Sequence, residues 1–190
     1  MRKLKLQMHI TLDGYVAGLN GENDWMTFSI DKKPADRLDE LTDSSDTILL
    51  GRKMTDGFIN HWTSVSENPE NPRYSFAQKM IDIPKVVFSK TVKESKWVNT
   101  TLAGGELTEE VEKLKNKDGK DILVYGGANF VSNLIKNRLI DKYHFFVNPV
   151  AIGKGISIFG DSEERLKLQL IKSESFPNGI VELCYTPQKD

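Results

Sequence analysis

Ile122-Leu123-Val124-Tyr125-Gly126-Gly127-Ala128-Asn129-Phe130 is the stretch on which the reading of this chain turns. The four residues before the glycines favour β structure, and a helix-like pattern begins directly after them. That is the pattern of a buried parallel strand feeding a tight turn and a helix N-terminus. Such a junction offers free backbone N–H groups and the positive end of a helix dipole, which suits an anion such as a pyrophosphate. The glycines let a ligand approach the backbone closely. A second junction, Thr47-Ile48-Leu49-Leu50-Gly51-Arg52-Lys53, has the same form.

Working outward from these junctions, the chain reads as alternating strands and helices. Leu4, Leu6, Met8 and Ile10 share one face, with Lys3, Lys5, Gln7, His9 and Thr11 between them, a period of two that predicts a first strand. A turn at Asp13-Gly14 and a polar loop closed by Trp25 follow. A helix is predicted over residues 34–43, and a short one opens at Gly51-Arg52-Lys53-Met54-Thr55. Residues 60–75 are polar and punctuated by prolines, and read as a long loop carrying Trp62. Further predictions are a helix over 76–81, strands at 85–88 and 97–98, and an amphipathic helix over 106–117 with an acidic start and a basic end. After the opening stretch come a helix over 128–136 and a strand over 142–147. Two last strands, joined by the turn at Pro177-Asn178-Gly179, form an antiparallel hairpin. The order predicts one α/β domain spanning residues 1–190, with a mixed sheet parallel in its centre and antiparallel at one edge.

Composition excludes several classes of function. The 26 basic and 27 acidic residues give a net charge of −1, so no global field favours nucleic acid or a membrane surface. No stretch approaches the roughly 20 apolar residues needed to span a bilayer, and no secretory signal is expected. The single cysteine, Cys184, fits a reducing cytoplasm, where we expect the protein to reside. His9, His61 and His144 are scattered without the spacing or cysteine companions of a zinc site, so no metal is expected.

If Leu50, Phe88 and Tyr125 end neighbouring parallel strands, three turns lie along one carboxyl edge. These are Gly51-Arg52-Lys53, Ser89-Lys90-Thr91 and Gly126-Gly127-Ala128, with Met54 and Asn129 next to them. Ligands of open α/β sheets bind along that edge. Two helix N-termini, the cations Arg52 and Lys90, and the hydroxyls of Ser89 and Thr91 describe a site for a ligand with several phosphates. A guanidinium and a serine beside a ribose favour a 2′-phosphate, hence NADP over NAD.

With these residues in view the chain resembles the dihydrofolate-reductase-like family, in the branch of the reductase domain of the bacterial bifunctional riboflavin-biosynthesis protein. The resemblance rests on Leu12-Asp13-Gly14-Tyr15-Val16-Ala17-Gly18, Asp24-Trp25, Leu50-Gly51-Arg52-Lys53, Val87-Phe88-Ser89-Lys90 and Tyr125-Gly126-Gly127-Ala128, in that order. Leu139 to Tyr143, Asn148-Pro149-Val150 and Gly153-Lys154-Gly155 continue it, so that it covers nearly the whole chain. It implies a three-layer fold and an NADPH-dependent reductase. The nicotinamide would lie by Ile10, Val16 and Ala17, the pyrophosphate at Gly51-Arg52 and Gly126-Gly127, and the 2′-phosphate at Ser89-Lys90-Thr91. One departure is Met54, where the family has a threonine; Thr55, or backbone N–H groups alone, would then serve the phosphate. The zinc deaminase signature that accompanies the bifunctional protein is absent.

Hydride chemistry asks the protein to align donor and acceptor and to handle one proton. Asp13 is the first candidate for the polar group near the acceptor and Asp31 the second. Trp25 and Trp62 are candidates for covering the substrate. The expected activity is reduction of a C=N or C=O group in a pteridine-like or pyrimidine-like molecule, dihydrofolate being disfavoured. The alternative is an NADP(H)-binding module without turnover. The C-terminal hairpin and the Gly153–Gly155 loop suggest a homodimer paired across a sheet edge.

Overall fold

The computed structural model describes residues 1–26, 32–160 and 164–188. The chain runs β1 (Leu4–Thr11), α1 (Lys32–Asp43), β2 (Ser45–Gly51), α2 (Arg52–Ser66), α3 (Tyr74–Asp82), β3 (Lys85–Phe88), β4 (Thr100–Ala103), α4 (Leu107–Lys115), β5 (Asp121–Gly126), α5 (Ala128–Lys136), β6 (Lys142–Asn148), β7 (Leu168–Ser175) and β8 (Val181–Pro187). The strands form one sheet in the order β4-β3-β2-β5-β1-β6-β8-β7. The pairs from β4 through to β6 are parallel. The β6–β8 and β7–β8 pairs are antiparallel, so the expected mixed sheet with a C-terminal hairpin is what forms.

Strands β2, β3 and β5 alternate between two cores, and the apolar face of β1 joins the first. Leu4, Leu6, Met8, Leu49, Ile122 and Val124 pack with Val111 of α4 and with Val131, Leu134 and Ile135 of α5. Ile48, Leu50, Val87 and Leu123 pack with Phe58 of α2 and with Phe76 and Met80 of α3. Leu41 of α1 packs on Phe146 of β6 and on Phe176 and Ile180. The result is three layers, with α1, α2 and α3 on one face and α4 and α5 on the other. The polar face of β1 is therefore covered rather than solvated, with Lys5 at 7% and Gln7 at 4% exposure. No helix among the described residues is long and apolar enough to cross a membrane.

Two expectations are corrected. Residues 60–66 belong to α2, which leaves a loop of only 67–73. Phe58 and Trp62 lie one turn apart and pack in the same core, and that contact extends the helix through Gly57 and the polar residues that argued for a loop. The brief strand expected at 97–98 lies instead at Thr100–Ala103. Asn99 adopts φ +49°, which turns the chain just before the ladder with β3 begins.

Candidate functional site

Because β3, β2, β5, β1 and β6 are consecutive and parallel, their carboxyl ends lie side by side. Leu50 pairs with Gly126 and Gly51 with Phe88, so the Gly51, Ser89 and Gly126-Gly127 turns meet along one edge as the sequence implied. Gly51 caps α2 and Gly127 caps α5, neither with a side-chain hydrogen bond. The first N–H groups of both helices therefore keep their positive ends free of a side-chain acceptor. The two turns touch: a Cβ on Gly51 would fall 2.8 Å from Phe130 Cβ and 3.4 Å from Gly127 N. Gly126 sits at φ +136°, and its peptide bond to Gly127 is cis. Ala128 is half-buried against the α5 core and Asn129 is exposed beside it.

Met54 fills the space between the turns. A Cβ on Gly126 would meet its Sδ at 2.9 Å, and the residue also packs on the α2 core. Thr55 does not replace the family's threonine, because its buried hydroxyl donates to Gly51 O at 3.1 Å. What remains for a phosphate here is backbone N–H together with Arg52 and the exposed Lys53. Arg52 is half-exposed, 3.5 Å from Asp56. Its guanidinium carbon lies 5.8 Å from the centre of the Trp97 ring. Ser89 Oγ accepts hydrogen bonds from Thr91 N at 3.2 Å and Val92 N at 3.0 Å, which fixes the turn. Lys90 and Thr91 are exposed on it, with Lys90 3.8 Å from Glu106.

At the end of β1, Ile10 is half-buried in the α4–α5 core and Val16 is buried in it. Val16 and Ala17 are pinned to the later glycine-rich loop, through Val16 N to Ile156 O at 2.9 Å and Ile156 N to Ala17 O at 2.8 Å. A Cβ on Gly155 would lie 2.3 Å from Ala17 O, so that glycine is required by this close packing. Asp13 belongs to the same lock. Its carboxylate accepts from Gly153 N at 2.7 Å and Ile152 N at 3.1 Å. Hydrogen bonding from Thr11 first, and from these backbone groups next, holds the Asp13 carboxyl below its ordinary range. An ionised carboxylate already bonded to two N–H groups is a loop anchor rather than a proton source. Asp31 lies outside the described residues.

Trp25 is half-buried, and its Nε1 is sealed from solvent with no hydrogen-bond partner among the described residues. Trp62 does not close the site. It stands on α2 with its ring 5.1 Å from Phe76 and 6.3 Å from Phe58. It lines a small cavity with Met80 and with Lys85, the first residue of β3, toward the amino edge of the sheet. Its size and apolarity are spent on packing.

Sequence reasoning passed over a group on the covered face of β1. His9 stacks on Phe146 with ring centres 5.2 Å apart. Its Nδ1 lies 3.2 Å from Asn148 Nδ2, which also faces Phe146 O at 3.0 Å and Ile10 O at 3.3 Å. Those carbonyls identify Asn148 Nδ2 as a donor, so the neutral imidazole carries its proton on Nε2. Burial pushes His9 down to about 4, which keeps the ring neutral. Gln7, two residues earlier on the same face, is buried at 4% exposure. The available signal was the polar half of the strand's alternation, which reads as solvated until α1 is seen to cover it. Beyond these, Glu182 of β8 receives Arg37 of α1 at 2.7 and 3.0 Å and His144 Nδ1 at 2.9 Å, fastening α1 to the sheet. Burial alone would raise Glu182, but the His144 and Arg37 hydrogen bonds hold it down at about 2.

Sheet order, helix layers and the glycine turns at the carboxyl edge define a class, an α/β protein of the dihydrofolate-reductase-like fold. A model of the RibD C-terminal domain family matches residues 2–182, and the chain belongs to that family. The chain is 33% identical over 185 residues to the uncharacterized protein YyaP of Bacillus subtilis (strain 168), a match covering 97% of this chain and 94% of that one. Its fold is similar to the crystal structure of a putative riboflavin biosynthesis protein from Shewanella sp. PV-4, with a TM-score of 0.71 at 24% identity and 100% of both chains covered. It is also similar to dihydrofolate reductase from Enterococcus faecalis complexed with NADP(H), with a TM-score of 0.60 at 12% identity, covering 98% of this chain and 97% of that one.

Proposed function

We propose that this chain is an NADPH-dependent reductase acting on a C=N or C=O group of a pteridine-like or pyrimidine-like small molecule. The observation that carries the reading is the shared carboxyl edge of β3, β2 and β5, where two helix N-termini without side-chain caps meet Arg52 and the Ser89 turn. Membership of a family named for a riboflavin-pathway protein, and a fold shared with a reductase solved with NADP(H), support it.

On this reading the Gly51-Arg52-Lys53 and Gly126-Gly127-Ala128-Asn129 turns hold the pyrophosphate through backbone N–H groups, with Met54 packed beneath. Ser89, Lys90 and Thr91 meet the 2′-phosphate, and Ile10, Val16 and Ala17 border the nicotinamide. The cofactor, when bound, supplies the hydride. Trp25 borders the substrate side, and His9 offers a fixed N–H donor from a ring that stays neutral at physiological pH. The second reading, an NADP(H)-binding module without turnover, draws on the commitment of Asp13 to the 152–153 backbone.

Titrating the protein with NADPH and, separately, with NADH while following tryptophan fluorescence tests both readings. NADPH should bind more tightly; binding of neither removes both. Loss of reduced-nicotinamide absorbance with a panel of pterins, flavin precursors and small carbonyls then separates reductase from binder. We further propose a cytoplasmic homodimer paired along β7, an edge strand that exposes Leu170 at 50% and Ile171 at 58%. Light scattering after size exclusion should return twice the 21.5 kDa chain mass, and a monomer would refute the pairing.

A further inference from the structure

Asp56, one turn into α2, gathers three groups at the edge assigned to the nucleotide. Trp97 Nε1 donates to its Oδ1 at 2.9 Å, and Lys96 Nζ lies 3.0 Å from the same oxygen. Arg52 NH1 approaches Oδ2 at 3.5 Å. Both cations lie near the Trp97 ring, with the Arg52 guanidinium carbon 5.8 Å and Lys96 Nζ 5.5 Å from its centre. Trp97 also packs against the α2 core, so this is a docked segment rather than a chance surface pair. The residues from Ser89 to Trp97 are the chain between the end of β3 and the turn into β4, and Asp56 is where that segment is tied to the helix.

We propose that Asp56 is the positioning residue of the nucleotide-selecting loop, seating Trp97 so that Lys96 joins Arg52 as a second cation for the phosphate that distinguishes NADPH from NADH. The inference rests on the reductase reading above and adds two residues to it. The distances rank the contacts. The Trp97 and Lys96 bonds to Asp56 are of ordinary hydrogen-bond length, whereas the Arg52 contact is long. Arg52 can therefore turn its planar fork to a phosphate while the loop stays tied. Lys90, the loop cation singled out by sequence, is exposed with its Nζ 3.8 Å from Glu106, and Lys96 adds a further cation near Arg52. Lys96 and Trp97 hold the Asp56 carboxyl below its ordinary range, which favours the charged form of the tether.

The test is a set of binding titrations of NADPH, NADH and 2′,5′-ADP with the full-length wild type and its K96A, D56A and D56N variants. K96A should weaken NADPH and 2′,5′-ADP by roughly five- to tenfold, as expected for one exposed charge-assisted contact, and leave NADH within about twofold. D56A should cut the NADPH-to-NADH preference at least as far and alter Trp97 emission. D56N, which keeps an acceptor for the indole N–H, should fall between wild type and D56A. A merely structural Asp56 would weaken both dinucleotides equally or only lower the melting temperature, and that result overturns the proposal. Wild type that binds both dinucleotides equally overturns it while sparing the reductase reading. Wild type that binds neither refutes the reductase reading itself. If D56A fails to fold, K96A and D56N decide, and a preference unchanged within twofold in both overturns the proposal.

Discussion

Replacing Glu182 by glutamine should cost this fold about 3 kcal/mol near neutral pH. Glu182 is 1% exposed and accepts from Arg37 at 2.7 and 3.0 Å and from His144 at 2.9 Å. Between the ordinary 4.5 and about 2 lies a difference worth about 3 kcal/mol at 1.36 kcal/mol per pH unit. Removing one partner from a buried pair carries a cost of roughly 3–5 kcal/mol, in agreement, because Arg37 keeps only the exposed Glu40 as a counter-charge. The sign follows from the direction. A carboxyl depressed in the folded state lends stability that is whole above its unfolded value near 4.5 and is lost as pH falls toward about 2. Urea melts of wild type and E182Q should therefore differ by about 3 kcal/mol near neutrality and converge as pH falls toward the folded value. NADPH affinity should stay within about twofold, since β8 is three strands from β5 in the sheet. A gap under about 1 kcal/mol, or one that persists unchanged into acid, refutes the reasoning.

Gly51→Ala should lose NADPH binding and roughly 1–3 kcal/mol of stability, because its Cβ would press on Phe130 Cβ at 2.8 Å; fluorescence titration and urea melts read the two effects. Trp62→Ala should cost about 3 kcal/mol by removing its contacts with Phe58 and Phe76, yet leave the KM of any turned-over substrate unchanged; a raised KM would restore Trp62 to the site. His9, pushed down by burial to about 4, makes the unfolded chain the first to take up a proton, so stability should decline as pH falls from 6.5 toward 4, and His9→Gln should flatten that window; an imidazole titrating near 6.5 by NMR would contradict it.

The sheet could be read from sequence because buried parallel strands announce themselves. Ile48 to Leu50, Val86 to Phe88 and Ile122 to Tyr125 are β-favouring runs followed directly by a glycine or serine turn residue. The length of α2 could not, since Gly57 and four polar residues between 60 and 64 outweigh Phe58 and Trp62 until the core they fill is known. Asp13 has turn chemistry in the sequence, but its partners are 139 and 140 positions away, a distance no local pattern reports. Lys96 was hidden for the same reason, its partner Asp56 lying on a different element. His9 and Gln7 sat in plain view on the polar side of a strand, and only the position of α1 turns that side into an interior.

The place of β5 has a consequence for synthesis on the ribosome. Leu4 and Thr47 both pair with Ile122, while β1 and β2 do not pair with each other. A nascent chain stopped before Asp121 therefore holds two strands whose facing edges have no ladder between them, and such edges invite pairing with other chains. When β5 enters, it zips both sides at once and carries Gly126 and Gly127 into place beside Gly51. Closure of the sheet and assembly of the turn that would receive the cofactor are one event, so a truncated translation product has neither.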